Sequence, residues 1–421
     1  MREFVGALIV VLAVASEASS QPVGVRAVAF DEAIRLALDR NPTVAQAATS
    51  IARADAILQQ ARAITLPNVS AQVSSTTLDT AQGFEAGITR PRNQVTFAGT
   101  VTMPVLAPAR WAARARARAD IEVATLSTTE VRQQVAVATA QAYLAVIRAQ
   151  RQIEVEERAL ENARAHLDYA QRRLEGGLGS RLNMLRASQE AMVGEARLEN
   201  AELALRQSWE ALGVLLAEDG PVDAAGEPAF AVPASIDEAT WTRRRPDLLA
   251  QNAIVRSAER VVRDSWKDVA PSAEASFDPQ YVTPAGLFQP SRTWRFTVSV
   301  TQPLYLGGLQ RAVTREREIV VDASRFALTE LEIQARSEVR LARASVSSFD
   351  RSLASVRAAE ERAAEVLSIT TTSFEVGATT NIEVIDAQRS ARDAGTAVAL
   401  AEDAVQRARL DLLVALGEFP Q

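Results

Sequence analysis

The sequence contains a copy of itself. Leu174-Glu175-Gly176-Gly177, followed by Leu182, Leu185 and Ala187, returns 200 residues later as Phe374-Glu375-Val376-Gly377, followed by Ile382, Ile385 and Ala387. The copy extends both ways. Asp31-Glu32-Ala33 recurs as Asp237-Glu238-Ala239, and Pro42 and Pro67, 25 residues apart, reappear at the same spacing as Pro246 and Pro271. Val101-Thr102-Met103-Pro104-Val105 matches Val300-Thr301-Gln302-Pro303-Leu304. One unit of roughly 190 residues is therefore used twice. Such a unit is a wall element rather than a compact catalytic domain if it is too thin to bury a core of its own.

Each unit alternates between two hydrophobic periods. In the first, residues 31 to 65 carry a helical pattern with Asp31 as the expected N-cap and Pro67 as the stop. From Gln94 to Met103 the apolar residues Val95, Phe97, Val101 and Met103 alternate with polar ones. Similar runs cover Val69 to Leu78, Ser272 to Asp278 and Trp294 to Thr301. Each is close to the roughly 9 to 11 residues that a tilted strand needs to cross a bilayer. A soluble half-buried hairpin would show the same pattern.

After each strand pair comes a long heptad stripe. Ile121, Ala124, Thr128, Val131, Val135, Ala138, Ala142, Ala145 and Ala149 step by three and four, and a second stripe runs from Val321 through Leu328, Ala335 and Ala342 to Val366. A helix from about Pro108 to Glu175 would be roughly 100 Å long. Return helices over 182 to 217 and 381 to 416 supply antiparallel partners across the turns at Gly176 to Ser180 and Gly377 to Asn381. These glycines read as helix C-caps, since no Gly-Lys-Ser/Thr follows to make a phosphate loop. Aromatics are only 5% and alanine dominates the apolar share, which suits close helix contact better than a thick interior.

Met1 to Ser20 reads as a secretory signal: Arg2 precedes an apolar core from Val5 to Ala15, and Ala18-Ser19-Ser20 offers small residues for cleavage. The four expected segments are this signal at 1–20, a first repeat at 21–217, a Pro- and Gly-rich linker at 218–240 and a second repeat at 241–421. There is no cysteine, and net charge −6 argues against a nucleic-acid partner. No later segment is apolar enough for a membrane helix, so any insertion must be by strands.

With these features the chain resembles the TolC-like outer membrane efflux proteins. The resemblance rests on Asp31-Glu32-Ala33-Ile34 leading to Asn41-Pro42 and on Leu66-Pro67 before a strand. It rests further on Gln302-Pro303-Leu304-Tyr305-Leu306-Gly307-Gly308 and on Phe374-Glu375-Val376-Gly377 with Ile382-Glu383-Val384-Ile385-Asp386-Ala387-Gln388. It implies a mainly α fold in which a long antiparallel coiled-coil tunnel joins a membrane β-barrel. Four strands from each chain of a homotrimer would make a 12-stranded barrel in outer membrane lipid, which agrees with the minimum of about eight strands for closure. It also implies a periplasmic adaptor and an inner-membrane transporter of RND, ABC or MFS type, in drug or metal efflux or type I secretion.

The resemblance carries over two sets of residues. Glu383 and Asp386 match the carboxylates that line the family's periplasmic constriction, and their spacing puts them on one helix face. Six such groups in a trimer would favour cations. Phe374 and Thr379 stand where a tyrosine and an arginine can lock the closed state, so other residues must do so here. Asn183 and Arg186 occupy the equivalent positions of the first repeat, which makes Arg186 a candidate partner for Asp386. The second set is the turns: Gly177, Leu178, Ser180, Gly377, Ala378 and Thr380 are expected to dock the adaptor. The lone histidine, His166, is expected at the surface, and no zinc, dinucleotide or nucleophile motif is present. No cofactor, metal or catalytic residue is expected. The competing class is a structural periplasmic coiled-coil or adaptor protein, which would show one helical hairpin rather than two repeated units.

Overall fold

The computed structural model describes residues 25–85, 87–233 and 236–419, so the expected signal segment lies outside the described residues. The elements run β1 Arg26–Val28, α1 Phe30–Arg40, α2 Pro42–Ala63, β2 Asn68–Thr77, β3 Gln82–Phe84, β4 Gly87–Arg90, β5 Asn93–Leu106, α3 Pro108–Glu175 and α4 Arg181–Leu216. They continue with β6 Val222–Ala224, α5 Glu238–Thr242, α6 Pro246–Arg263, β7 Ser272–Thr283, β8 Arg292–Thr301, α7 Leu309–Glu375 and α8 Asn381–Ala415, with a 3-10 turn at Ser265–Asp268. The two halves thus repeat one order: broken helix, two strands, long helix, return helix.

The break in the first helical segment is chemical. Pro42 has no N–H to continue the ladder and pushes Asn41 out of the helical region, to φ −62° and ψ 126°. Asn41 then caps α2, its Oδ1 accepting from Thr43 N at 2.8 Å. Asp31 is not the N-cap. The cap falls two residues earlier, at Ala29, without a side-chain bond, and Asp31 and Glu32 lie in the first turn, where negative charge suits the helix dipole.

β2, β5, β7 and β8 form one antiparallel sheet in that order, with Val69 opposite Val101 and Val101 opposite Phe277. The central pair, β5 with β7, joins the two halves. The outer edges of β2 and β8 pair with nothing among the described residues, and every residue of β8 is exposed.

From the sheet, α3 runs 68 residues and α7 runs 67, each about 100 Å, with no glycine or internal proline. Small residues let the helices close up: a Cβ on Gly194 of α4 would meet Leu160 Cδ1 of α3 at 3.2 Å. The burial is lopsided. α3 buries 17 residues and α7 only five, leaving Phe326, Ile333, Leu341 and Ile369 of α7 exposed.

Among the described residues the large clusters of bulky buried side chains lie at mid-height. Tyr143, Leu212 and Leu216 pack there with Val28 and Val222, beside a second cluster of Ile34, Leu144, Leu410 and Phe419. The Pro- and Gly-rich stretch that composition marks as a linker is part of this core, because β6 pairs in parallel with β1 and buries Val222 and Ala224. Tyr143 Oη donates into the same layer, 2.8 Å from Gly226 O.

Candidate functional site

The ends of the two hairpins farthest from the sheet are built alike. α3 ends in a paired-bond cap in which Leu178 N donates to Arg173 O at 2.9 Å and Gly177 N to Leu174 O at 3.0 Å. α7 repeats it through Ala378 N to Ser373 O at 2.8 Å and Gly377 N to Phe374 O at 3.1 Å. Such a cap needs a left-handed residue. Gly177 has φ +72° and Gly377 has φ +81°, and both face open space. The next helices start on hydroxyls: Ser180 Oγ accepts from Leu182 N, and Thr380 forms a capping box with Glu383. Leu178 and Val376 remain largely exposed.

The two turns flank an open cleft of about 360 Å³ whose walls include Arg173, Leu178, Ser180, Asn183, Arg186 and Thr380. Ala378 stands on the second turn. Glu383 and Asp386 are both exposed on the first turns of α8. Glu383 also has a structural duty, since its Oε2 accepts from Thr380 N at 3.4 Å. Arg186 is exposed on a cleft wall, and among the described residues no ion pair joins it to Asp386. The expected pairing of those two is not formed within this chain.

Other residues tie the hairpins together. His166 of α3 is buried rather than on the surface, with Nε2 2.8 Å from Asn381 Oδ1 at the start of α8 and its ring 5.2 Å from that of Phe374. Tyr169 Oη donates to Glu375 O at 3.1 Å, and the Arg173 guanidinium lies 5.7 Å from the Phe374 ring centroid. Phe374 thus joins the hairpins by ring packing, tilted against His166 and edge-on to Tyr169.

Two turns further up, Glu190 of α4 receives Arg389 of α8, with Nη2 at 2.6 Å and Nε at 3.0 Å from Oε2. Arg392 and Arg197 approach its other oxygen at 3.9 and 3.7 Å. The Glu190 side chain is only 8% exposed, and its hydrogen bond raises the Arg389 pKa above the ordinary value.

Burial pushes the His166 imidazole below its usual value, against the opposing pull of its bond to Asn381. The folded state therefore holds His166 neutral. The contact is intact above the unfolded value of about 6.5, and its stability falls as pH drops through that value towards the lower folded one. Protection against hydrogen exchange at the start of α8, relative to the intrinsic rate at each pH, should fall as pH drops below the ordinary histidine range. His166→Gln should flatten that dependence; an unchanged pH profile would show that His166 does not titrate here.

Residues 33–218 and 241–418 match the outer membrane efflux protein family. The chain belongs to that family. As an outer membrane efflux protein it is an efflux duct of the outer membrane with a periplasmic tunnel, so the helical tips lie at the periplasmic end. It is similar to the outer membrane protein OprJ of Pseudomonas aeruginosa, 25% identical across 91% of this chain and 83% of OprJ. Its fold is that of the CmeC outer membrane channel of Campylobacter jejuni, with TM-score 0.80 and 15% identity over 92% of this chain and 85% of CmeC. The outer membrane protein VceC of Vibrio cholerae gives TM-score 0.77 and 19% identity over 92% of this chain and 96% of VceC.

Proposed function

We propose that three copies close into one passive duct fed by a periplasmic adaptor and an inner-membrane transporter of RND, ABC or MFS type, in tripartite efflux or type I secretion. The observation that carries this is the open sheet. Four strands with two bare edges cannot stand in hydrocarbon, and three copies of four give a closed 12-stranded barrel. The exposed apolar face of α7 fits burial against a neighbouring copy. The division into signal 1–20, repeats 21–217 and 241–421 and connection 218–240 belongs to this reading; the matched stretches stop at 218 and resume at 241, which supports the limits of the connection.

At the periplasmic end, Glu383 and Asp386 from three chains would ring one opening, with Asn183 and Arg186 on the adjoining hairpin. The tips, with Gly177, Leu178, Ser180, Gly377, Ala378 and Thr380, would receive the adaptor; the exposed Leu178 supports this. The test uses detergent-purified protein in planar bilayers. Native protein should run as a heat-resistant trimer, conduct cations preferentially and be blocked by trivalent cations from the periplasmic side. Glu383→Gln with Asp386→Asn removes the charges while keeping the capping box. Block should vanish and cation preference should drop severalfold. A variant that keeps both would place the constriction elsewhere, and a water-soluble native monomer would end the duct reading.

A further inference from the structure

The chain carries net charge −6, yet its positive charge collects where strands meet helices. Segments 60–65, 108–118, 260–268 and 309–318 lie within about three helical turns of that junction. Together they hold eleven basic and four acidic residues, and with Glu274 of β7, which pairs with Arg110 at 3.4 Å, the junction keeps a surplus of six. Three of the four acids are already neutralised, Asp264 by Lys267 at 2.7 Å, Asp268 by Arg317 at 2.7 Å and Glu318 by Arg315 at 3.3 Å. Arg114, Arg118, Arg263 and Arg311 are exposed and have no ion pair among the described residues.

Two further observations point the same way. α3 and α7 both begin at this junction, capped by Ala107 and Gly308 without a side-chain bond and with no acid in the first turn. Their orphan N–H groups and positive dipole ends add to the surplus. The same level carries exposed Trp111, Trp266, Leu304 and Tyr305, the composition of a membrane-water boundary.

We propose that this girdle binds the phosphate headgroups of anionic phospholipids in the periplasmic leaflet of the outer membrane. The aromatic rings set its depth, and the arginines supply bidentate donors to phosphate. The inference rests on the outer membrane placement that the family establishes.

The test measures quenching of tryptophan fluorescence by brominated phospholipids in the full-length protein reconstituted into vesicles, since Trp111 and Trp266 lie at the junction. Brominated phosphatidylglycerol should associate at least about threefold more strongly than brominated phosphatidylcholine, and high salt should bring the ratio towards one. The variant Arg114→Gln/Arg118→Gln/Arg263→Gln/Arg311→Gln should have a ratio near one in low salt. Arg164→Gln/Arg172→Gln, at the other end of α3, should behave as native. A native ratio of one, a preference that survives in the quadruple variant, or its loss in the distal control would each overturn the proposal. Quenching by neither lipid would overturn the membrane placement as well, which separates the two failures.

Discussion

Glu190→Ala is expected to raise the resting conductance of the proposed trimer well above that of the native protein. The substitution removes the carboxylate on which Arg389, Arg392 and Arg197 converge, and Arg392, 13% exposed, is left with Asp393 alone. Breaking a buried pair costs about 3–5 kcal/mol, but Arg389 is half wet, so about 2 kcal/mol is a fair expectation here. That corresponds to roughly a thirtyfold shift between closed and open tips. Overall stability should change little, because the mid-height core around Tyr143 is untouched. Arg389→Ala should act in the same direction but more weakly, since Arg392 and Arg197 still face the carboxylate. Single-channel recordings check this ordering, and an alanine variant at Glu190 as closed as native would show that α4 and α8 are held elsewhere.

Leucine at both Gly177 and Gly377 is expected to abolish export while trimers still assemble. A residue with a Cβ in the left-handed region costs roughly 1–2 kcal/mol, borne by a turn with open space around it. The fold should tolerate that strain, but if the tips receive the adaptor as proposed, a docking surface repeated three times around the duct would not tolerate a reshaped turn. Dye accumulation in cells lacking the native protein, complemented with each variant, reads the loss, and gel mobility without heating reads assembly. Normal export by the double variant would remove the tips from the docking surface.

The architecture was legible because it depends on periodicity and repetition. Two periods, repeated in order, place all four strands of the main sheet and both long helices, although β7 runs five residues beyond the alternating run that ends at Asp278. The chemistry of His166 suggests the surface, but its phase on the helix places it inside. The α3 stripe, continued past Ala149, passes through the buried positions Ala163, His166 and Ala170. Glu190 likewise sits among buried Ala187, Ala191 and Gly194 on α4, and a carboxylate on such a stripe must have partners. What periodicity could not supply is the identity of those partners. Arg389 and Arg392 lie about 200 residues away, and only the docking of one hairpin on the other selects them. The Pro- and Gly-rich connection was hard for a related reason, since β6 pairs with β1 through a contact no local pattern announces.

The antiparallel pairing of β5 with β7 also sets an order of events. Each long helix and its return helix meet across a five-residue turn and can associate while the rest of the chain is still being made. β5 must wait for β7, since Val101 finds Phe277 only after the whole first hairpin and the connection have been synthesised. Until then its apolar face and unpaired amides are open to any passing strand. A chain built this way should carry its sheet unfinished across the periplasm and complete it at the bilayer, so that insertion, strand pairing and the meeting of subunits become one step.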